Sequence, residues 1–154
     1  MASNLRQASL ADIPGMHRVR LAVRENALRS TVITEASYAQ PLMETGRGWV
    51  VEDDGEILAF AVGNAQTGNI WALFVDPEHE GKGYGRILHD TMIVYLFACG
   101  LTRLHLSTAS DTRAHKFYVQ AGWQLTRIAV DGEAFFEMTN PQYSSLGSSQ
   151  SAES

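Results

Sequence analysis

The sequence predicts one mixed α/β domain: a central, mostly antiparallel twisted sheet of about seven strands flanked by four helices, in the order β-α-α-β-β-β-α-β-α-β-β. Three observations predict it. The middle of the chain holds three apolar runs, Trp49–Val51, Ile57–Val62 and Ile70–Val75, separated by short turn sequences. A glycine-rich loop then leads into a long stretch with one apolar stripe, the mark of a helix. The last part reads as a hairpin across Asp131-Gly132.

Taken in order, the first helix is signalled by Ser9-Leu-Ala-Asp12, a capping-box pattern, with Pro14 suited to a first turn and Ile13, Met16, Val19 and Val23 at helical spacing. A second helix is predicted from Thr34 to about Glu44, ahead of Gly46. Asp54-Gly55 favours the positive φ angles of a tight hairpin, and Thr67-Gly68 makes the next turn. Asp76-Pro77 ends the third strand, because proline removes a ladder donor. From about Gly83 to Cys99, the residues Leu88, Met92, Tyr95, Leu96 and Cys99 fall on one stripe, which predicts a buried, structural Cys99 thiol. Gly100 is placed to stop that helix. Arg103–Ser107 reads as a strand, Thr112–Ala121 as a helix stopped by Gly122, and Trp123–Val130 with Glu133–Met138 as the closing hairpin. Trp49, Trp71 and Trp123 read as core residues on strands. Residues 1–140 form the expected domain, and the Ser-rich segment 141–154, with little to bury, reads as a flexible tail.

Composition excludes several function classes. At 154 residues, 45% hydrophobic and 19% charged, the chain can bury a core without disulfides or metals. A formal net charge of −5 argues against a nucleic-acid partner, which calls for a basic face. No apolar run approaches the roughly 18 residues of a membrane span, and Met1-Ala-Ser-Asn-Leu-Arg lacks a secretory stretch, so no membrane partner and a cytoplasmic location are expected. One cysteine makes no internal disulfide, and no Cys/His cluster has metal-ligand spacing, so no metal is expected.

The chemistry concentrates in Leu73-Phe-Val-Asp-Pro-Glu-His-Glu-Gly-Lys-Gly-Tyr-Gly-Arg86. A strand ends, a glycine-rich loop follows, and a helix begins with its first N–H groups unpaired. Glycine lets the backbone approach a ligand with no Cβ in the way, and convergent N–H groups at a helix N-terminus suit a pyrophosphate. Lys82 and Arg86 add positive charge. A Walker loop is excluded because Gly81-Lys82 is followed by Gly83 rather than Ser or Thr, and the Rossmann fingerprint because Arg86 stands where its third glycine belongs.

Glu80-Gly-Lys-Gly-Tyr-Gly85 resembles the signature loop of the GNAT acetyltransferases, Gln/Arg-x-x-Gly-x-Gly/Ala, and Val75-Asp-Pro77 resembles the approach to it. Asp111-Thr-Arg-Ala-His-Lys-Phe-Tyr-Val-Gln-Ala-Gly-Trp123 resembles the family's Asn-x-x-Ala-x-x-Phe-Tyr-x-x-x-Gly-Phe segment. With the matching element order, the resemblance spans about residues 5–138. Two positions depart from it. Glu80 replaces Gln or Arg and is tolerated if it faces outward, and Asp111 replaces Asn, keeping an acceptor but losing the amide donor.

The resemblance implies transfer of acetyl from acetyl-coenzyme A directly to a primary amine of a small molecule or amino-acid-like acceptor, in a ternary complex. It implies cofactor contacts from Leu73, Phe74, Val75, Gly81, Lys82, Gly83, Tyr84, Gly85, Arg86 and Asp111, with Tyr118 protonating the leaving thiolate. Without it, Phe117-Tyr118 reads as the apolar face of a short helix. It also puts Arg20, Arg24, Glu25 and Asn26 on the acceptor side, and allows a homodimer through the C-terminal strands. Glu25, His79 and His105 are candidates for the general base, and none is assigned. Two alternatives stand beside this reading: a protein or peptide N-acetyltransferase, and a non-catalytic acyl-coenzyme A-binding sensor or regulatory module.

Overall fold

A computed structural model describes residues 3–23 and 33–141. Its strands are β1 (Asn4–Gln7), β2 (Gly46–Asp53), β3 (Glu56–Asn64), β4 (Ile70–Val75), β5 (Arg103–Ala109), β6 (Gln124–Ile128) and β7 (Glu133–Thr139). Its α-helices are α1 (Ile13–Ala22), α2 (Ala39–Met43), α3 (Tyr84–Ala98) and α4 (Arg113–Gln120). The class, the seven strands and their order are those the sequence predicts. The sheet itself is divided in two, β1-β2-β3-β4 and β5-β7-β6, with every strand pair antiparallel. Between them lies a single parallel bridge, Asn69 to His105. From Ile70 onward β4 is therefore an edge, with no strand partner on its far side among the described residues.

Local chemistry sets the connections. The capping box forms as read: Ser9 N–H donates to Asp12 Oδ2 at 2.8 Å, opening a 3-10 turn at Leu10–Asp12 that runs into α1. Asp54 and Gly55 both take positive φ, 53° and 83°, and close the β2–β3 hairpin. The predicted helix from Thr34 is a composite, a 3-10 turn at Glu35–Tyr38 followed by α2.

Two cores lie on opposite faces of the first sheet. On one, Ile13, Met16 and Val19 of α1 pack with Tyr38, Leu42, Val50, Phe60, Val62 and Ala72. On the other, Leu88, Met92 and Leu96 of α3 pack with Trp49, Val51, Ala59 and Ala61, and with Leu104, Leu106, Tyr118 and Phe136 of the second half. The side chains of β2 and β3 thus alternate between faces. Gly63 lets α3 lie close, since a Cβ there would come within 2.8 Å of Leu96 Cδ1. Burying each of the three α3 side chains contributes about 1.5–3 kcal/mol.

The register of β4 shifts at Trp71. Val62 pairs with Ala72 and Gly63 with Ile70, so Trp71 is an extra, bulged residue. Ile70, Leu73 and Val75 consequently pack on the α3 side, whereas Trp71, Ala72 and Phe74 pack on the α1 side.

Three expectations are corrected. Cys99 is exposed rather than buried, because the inward stripe ends at Leu96 and Cys99 is the residue that caps the helix. Val23 lies just past α1 in extended backbone rather than on its helical stripe. Trp123 is buried as expected but precedes β6 rather than lying on it. All of β6 is exposed.

Candidate active site

The glycine loop is positioned from its upstream side by Asp76, the residue after β4. Asp76 Oδ1 accepts the Glu78 N–H at 3.0 Å, its Oδ2 accepts from Arg18 Nη1 of α1 at 3.0 Å, and its carbonyl accepts the His79 N–H at 2.8 Å. Burial pushes the Asp76 carboxyl up, but the Glu78 and Arg18 bonds outweigh it and hold the group below the usual carboxylate range. Arg18 also donates to the Ile57 carbonyl at 2.7 Å, so α1, β3 and the end of β4 are locked together. Asp76 stands out in the sequence within Val75-Asp-Pro77, the approach to the loop, whereas Arg18 does not stand out as part of a site.

Beyond this clamp, Gly81 and Gly83 adopt φ of 80° and 86°, and a Cβ built on either meets nothing within 4 Å. Packing does not require glycine there; the positive φ and the open space above the backbone do. Gly83 is the N-cap of α3 and supplies no side-chain acceptor, so the first amides of this 15-residue helix face that space uncapped. Gly85, in the first turn, packs between β4 and α4: a Cβ there would sit 3.4 Å from Val75 and 3.7 Å from Phe117.

Charges around the loop are organised. Lys82 Nζ donates to His79 Nδ1 at 3.0 Å, and Arg86 Nε reaches Asp90 Oδ1 at 3.2 Å. The Glu80 carboxylate forms an ion pair with Arg113 in the first turn of α4. The acidic departure in the loop is thus neutralised by a cation from another element. Asp111 is exposed and takes a left-handed φ of 62°, a conformation Asn and Asp tolerate better than other non-glycine residues. Thr112 follows as N-cap of α4, its Oγ1 accepting the His115 N–H at 3.2 Å.

Tyr118 lies on the inner face of α4, 6% exposed, against the rings of Phe117, Trp123 and Phe136, in the same apolar cluster as Leu73, Val75 and Tyr84. Burial alone raises its phenol above the ordinary value of 10. Next to it runs a polar relay. Trp123 Nε1–H donates to His89 Nε2 at 2.9 Å, so that nitrogen is bare, and His89 Nδ1–H donates to Asp90 Oδ1 at 2.8 Å. Burial holds the His89 pKa down against the opposing pull of Asp90.

The structure therefore brings together Leu73, Phe74 and Val75 on the open edge of β4, the loop from Gly81 to Arg86, and Tyr118. Arg24, Glu25 and Asn26 lie outside the described residues. Of the base candidates, Glu25 is also outside them, His79 accepts from Lys82, and His105 sits at the bridge beside Asn69 in a cleft shared with Ser107 and Glu137.

The open backbone above Gly81 and Gly83, the uncapped α3 amides and the adjoining strand edge fit a pyrophosphate followed by an extended amide chain. Comparison with known proteins agrees with this architecture. The ribosomal-protein-S18-alanine N-acetyltransferase of Escherichia coli has a similar fold, with a TM-score of 0.73, 17% identity, and 90% of this chain and 94% of that one covered. The PaiA N-acetyltransferase of Thermoplasma acidophilum, solved with coenzyme A, superposes with a TM-score of 0.78 at 12% identity over 91% of this chain and all of that one (100%). In sequence, a mycothiol acetyltransferase of Beutenbergia cavernae is 36% identical over 91 residues, which cover 55% of this chain. The match spans 30% of that relative's length. The Acetyltransferase (GNAT) family model matches residues 13–123, most of the chain, and the protein belongs to the GNAT acetyltransferase family.

Proposed function

We propose that the protein is an acetyl-coenzyme A-dependent N-acetyltransferase that moves an acetyl group directly to the primary amine of a small or amino-acid-like acceptor. The observation that carries this reading is the loop: two positive-φ glycines with open space above them lead into the uncapped α3 helix, beside the unpaired edge of β4.

The cosubstrate supplies the acetyl group as a thioester. In this proposal the amides of residues 81–86 hold its pyrophosphate, with Lys82 and Arg86 adding charge. The outward backbone groups of Leu73–Val75 hold the extended arm and orient the carbonyl, and Asp111 borders the arm from the start of α4. The acceptor's neutral nitrogen attacks the carbonyl carbon and the carbon–sulfur bond breaks. The Tyr118 hydroxyl gives its proton to the departing thiolate, and the proton lost by the acceptor nitrogen leaves to solvent. A raised phenol pKa suits this role, since burial keeps the group protonated through the neutral and mildly alkaline range. The proposed use of acetyl-coenzyme A is compatible with a reaction in the cytoplasm.

The ion pair of Glu80 with Arg113 keeps the acidic loop residue from presenting an unpaired charge to a pyrophosphate, which supports cofactor binding in the catalytic and the non-catalytic reading alike. The mycothiol relative supports a small acceptor over a peptide. Turnover of acetyl-coenzyme A against matched panels of free amines and peptides, followed by release of the free thiol, tests the proposal. Thiol release that depends on a free amine supports it, and none on any acceptor contradicts it.

A further inference from the structure

Trp123, just after α4, is buried against Tyr118, with the ring centroids 5.6 Å apart. A buried indole N–H needs an acceptor, and here it is Nε2 of His89 in α3, at 2.9 Å. His89 is itself 3% exposed and stands edge-on to the Phe117 ring at 5.6 Å. Because Nε2 accepts, the proton of the neutral imidazole stands on Nδ1 and is offered to Asp90 Oδ1 at 2.8 Å. The same carboxylate accepts from Arg86 Nε, at 3.2 Å to Oδ1 and 3.4 Å to Oδ2. A continuous relay of Trp123, His89, Asp90 and Arg86 thus runs from the wall around Tyr118 to the first turn of α3.

Two features single out this relay. Apolar residues at 89 and 123 would fill the same space with no polar group to satisfy, and a buried polar pair adds little stability over such a core. The Arg86–Asp90 pair, by contrast, is open to water, with both side chains 56% exposed, and an open pair four residues apart on a helix is loose by itself. The bond from a buried, ring-held imidazole gives that carboxylate a fixed direction. Held this way, Asp90 engages Arg86 through Nε, and the two terminal nitrogens of the guanidinium make no hydrogen bond among the described residues. Arg86 stands in the same first turn as the uncapped amides that follow Gly83.

We infer that His89 is a positioning residue for the cofactor: its Nδ1–H orients Asp90, and Asp90 so oriented leaves the forked end of Arg86 free for a phosphate of coenzyme A. The inference rests on the acetyltransferase reading, which lays the pyrophosphate on the Gly81–Arg86 loop, and adds to it a residue that does not touch the cofactor. A carboxylate released from His89 turns to take Arg86 side-on, through Nε and a terminal nitrogen together, and competes with the phosphate for the same fork.

The two ends of the imidazole can be removed separately. His89→Gln reaches the position of Nε2 and keeps an acceptor for Trp123, whereas His89→Asn reaches that of Nδ1 and keeps a donor for Asp90. Coenzyme A is titrated calorimetrically into wild type, both variants, Arg86→Ala and the double variant His89→Gln with Arg86→Ala, after melting curves establish that each folds. The expected result is binding about three- to tenfold weaker in His89→Gln, within about twofold of wild type in His89→Asn, and no added loss from His89→Gln once Arg86 is alanine. Melting points should run the other way, His89→Asn being the less stable because the Trp123 N–H is orphaned. Affinity that follows the melting points, kept in His89→Gln and lost in His89→Asn, overturns the inference and leaves the loop reading intact. So does a His89→Gln loss that persists at full size beside Arg86→Ala, and this comparison decides alone if His89→Asn does not fold. Wild type that binds no coenzyme A overturns the loop reading and the inference with it.

Discussion

Glu80, the acidic residue of the glycine loop, is joined by an ion pair to Arg113 in the first turn of α4, so the loop and the helix that carries Tyr118 are held together by charge. The pair is partly open to water, with side-chain exposures of 34% for Glu80 and 68% for Arg113, and adds less than about 1 kcal/mol to stability. Its larger effect is on the loop's field. Arg113→Ala should weaken coenzyme A binding about three- to tenfold with a melting point within a few degrees of wild type, and Glu80→Gln in the same chain should recover most of the loss. Calorimetry on the four members of that cycle checks it; equal losses in the single and double variants would place Arg113 on the cofactor directly.

The Tyr118 hydroxyl makes no hydrogen bond among the described residues and its ring is held by other rings, so Tyr118→Phe keeps its packing. Turnover should fall about 10²- to 10⁴-fold while the KM for acetyl-coenzyme A stays within about twofold. An acid works only while protonated, and burial holds this phenol above its ordinary value of 10. The alkaline limb of the wild-type kcat profile should therefore stay flat through pH 10 rather than fall there. A limb that drops lower would assign the proton to another group.

His89 gives a pH signature of stability. Burial lowers its folded pKa below 6.5, so below that value the unfolded chain binds a proton that the folded chain resists. Stability should be full above about pH 6.5 and decline as pH falls through the folded pKa, ahead of the loss expected where Asp76 and Asp90, both held low, begin to protonate. Denaturant melts across pH 4–7 on wild type and His89→Gln should show the first decline only in wild type.

Much of this was legible because it is local. Asp54-Gly55, the spacing of Leu88, Met92 and Leu96, and the Gly81–Gly85 run each state a backbone or burial requirement within a few residues. What escaped is long-range. Nothing near Glu80 foretells that Arg113 would neutralise it. Arg18 and Arg20, two residues apart on α1, have opposite fates, one ion-paired and the other buried against Trp71 and Phe74, that the helical stripe alone does not separate. The bulge at Trp71, which turns that ring toward Arg20 instead of the α3 core, depends on pairing with β3. Cys99 was misplaced because the stripe outlasts the helix by one residue, and a cap faces water whatever the period says.

The central claim is that the loop at Gly81–Arg86 holds the cofactor through its backbone. The most direct measurement is calorimetric titration with acetyl-coenzyme A of wild type and Gly83→Glu. A glutamate at a φ of 86° is strained by about 1–2 kcal/mol and fills the open space above the loop with a like charge. Wild type is expected to bind saturably, and a variant that still melts cooperatively to bind at least a hundredfold more weakly. Wild-type protein that takes up no cofactor at millimolar concentration, or a variant that binds as tightly as wild type, would contradict it.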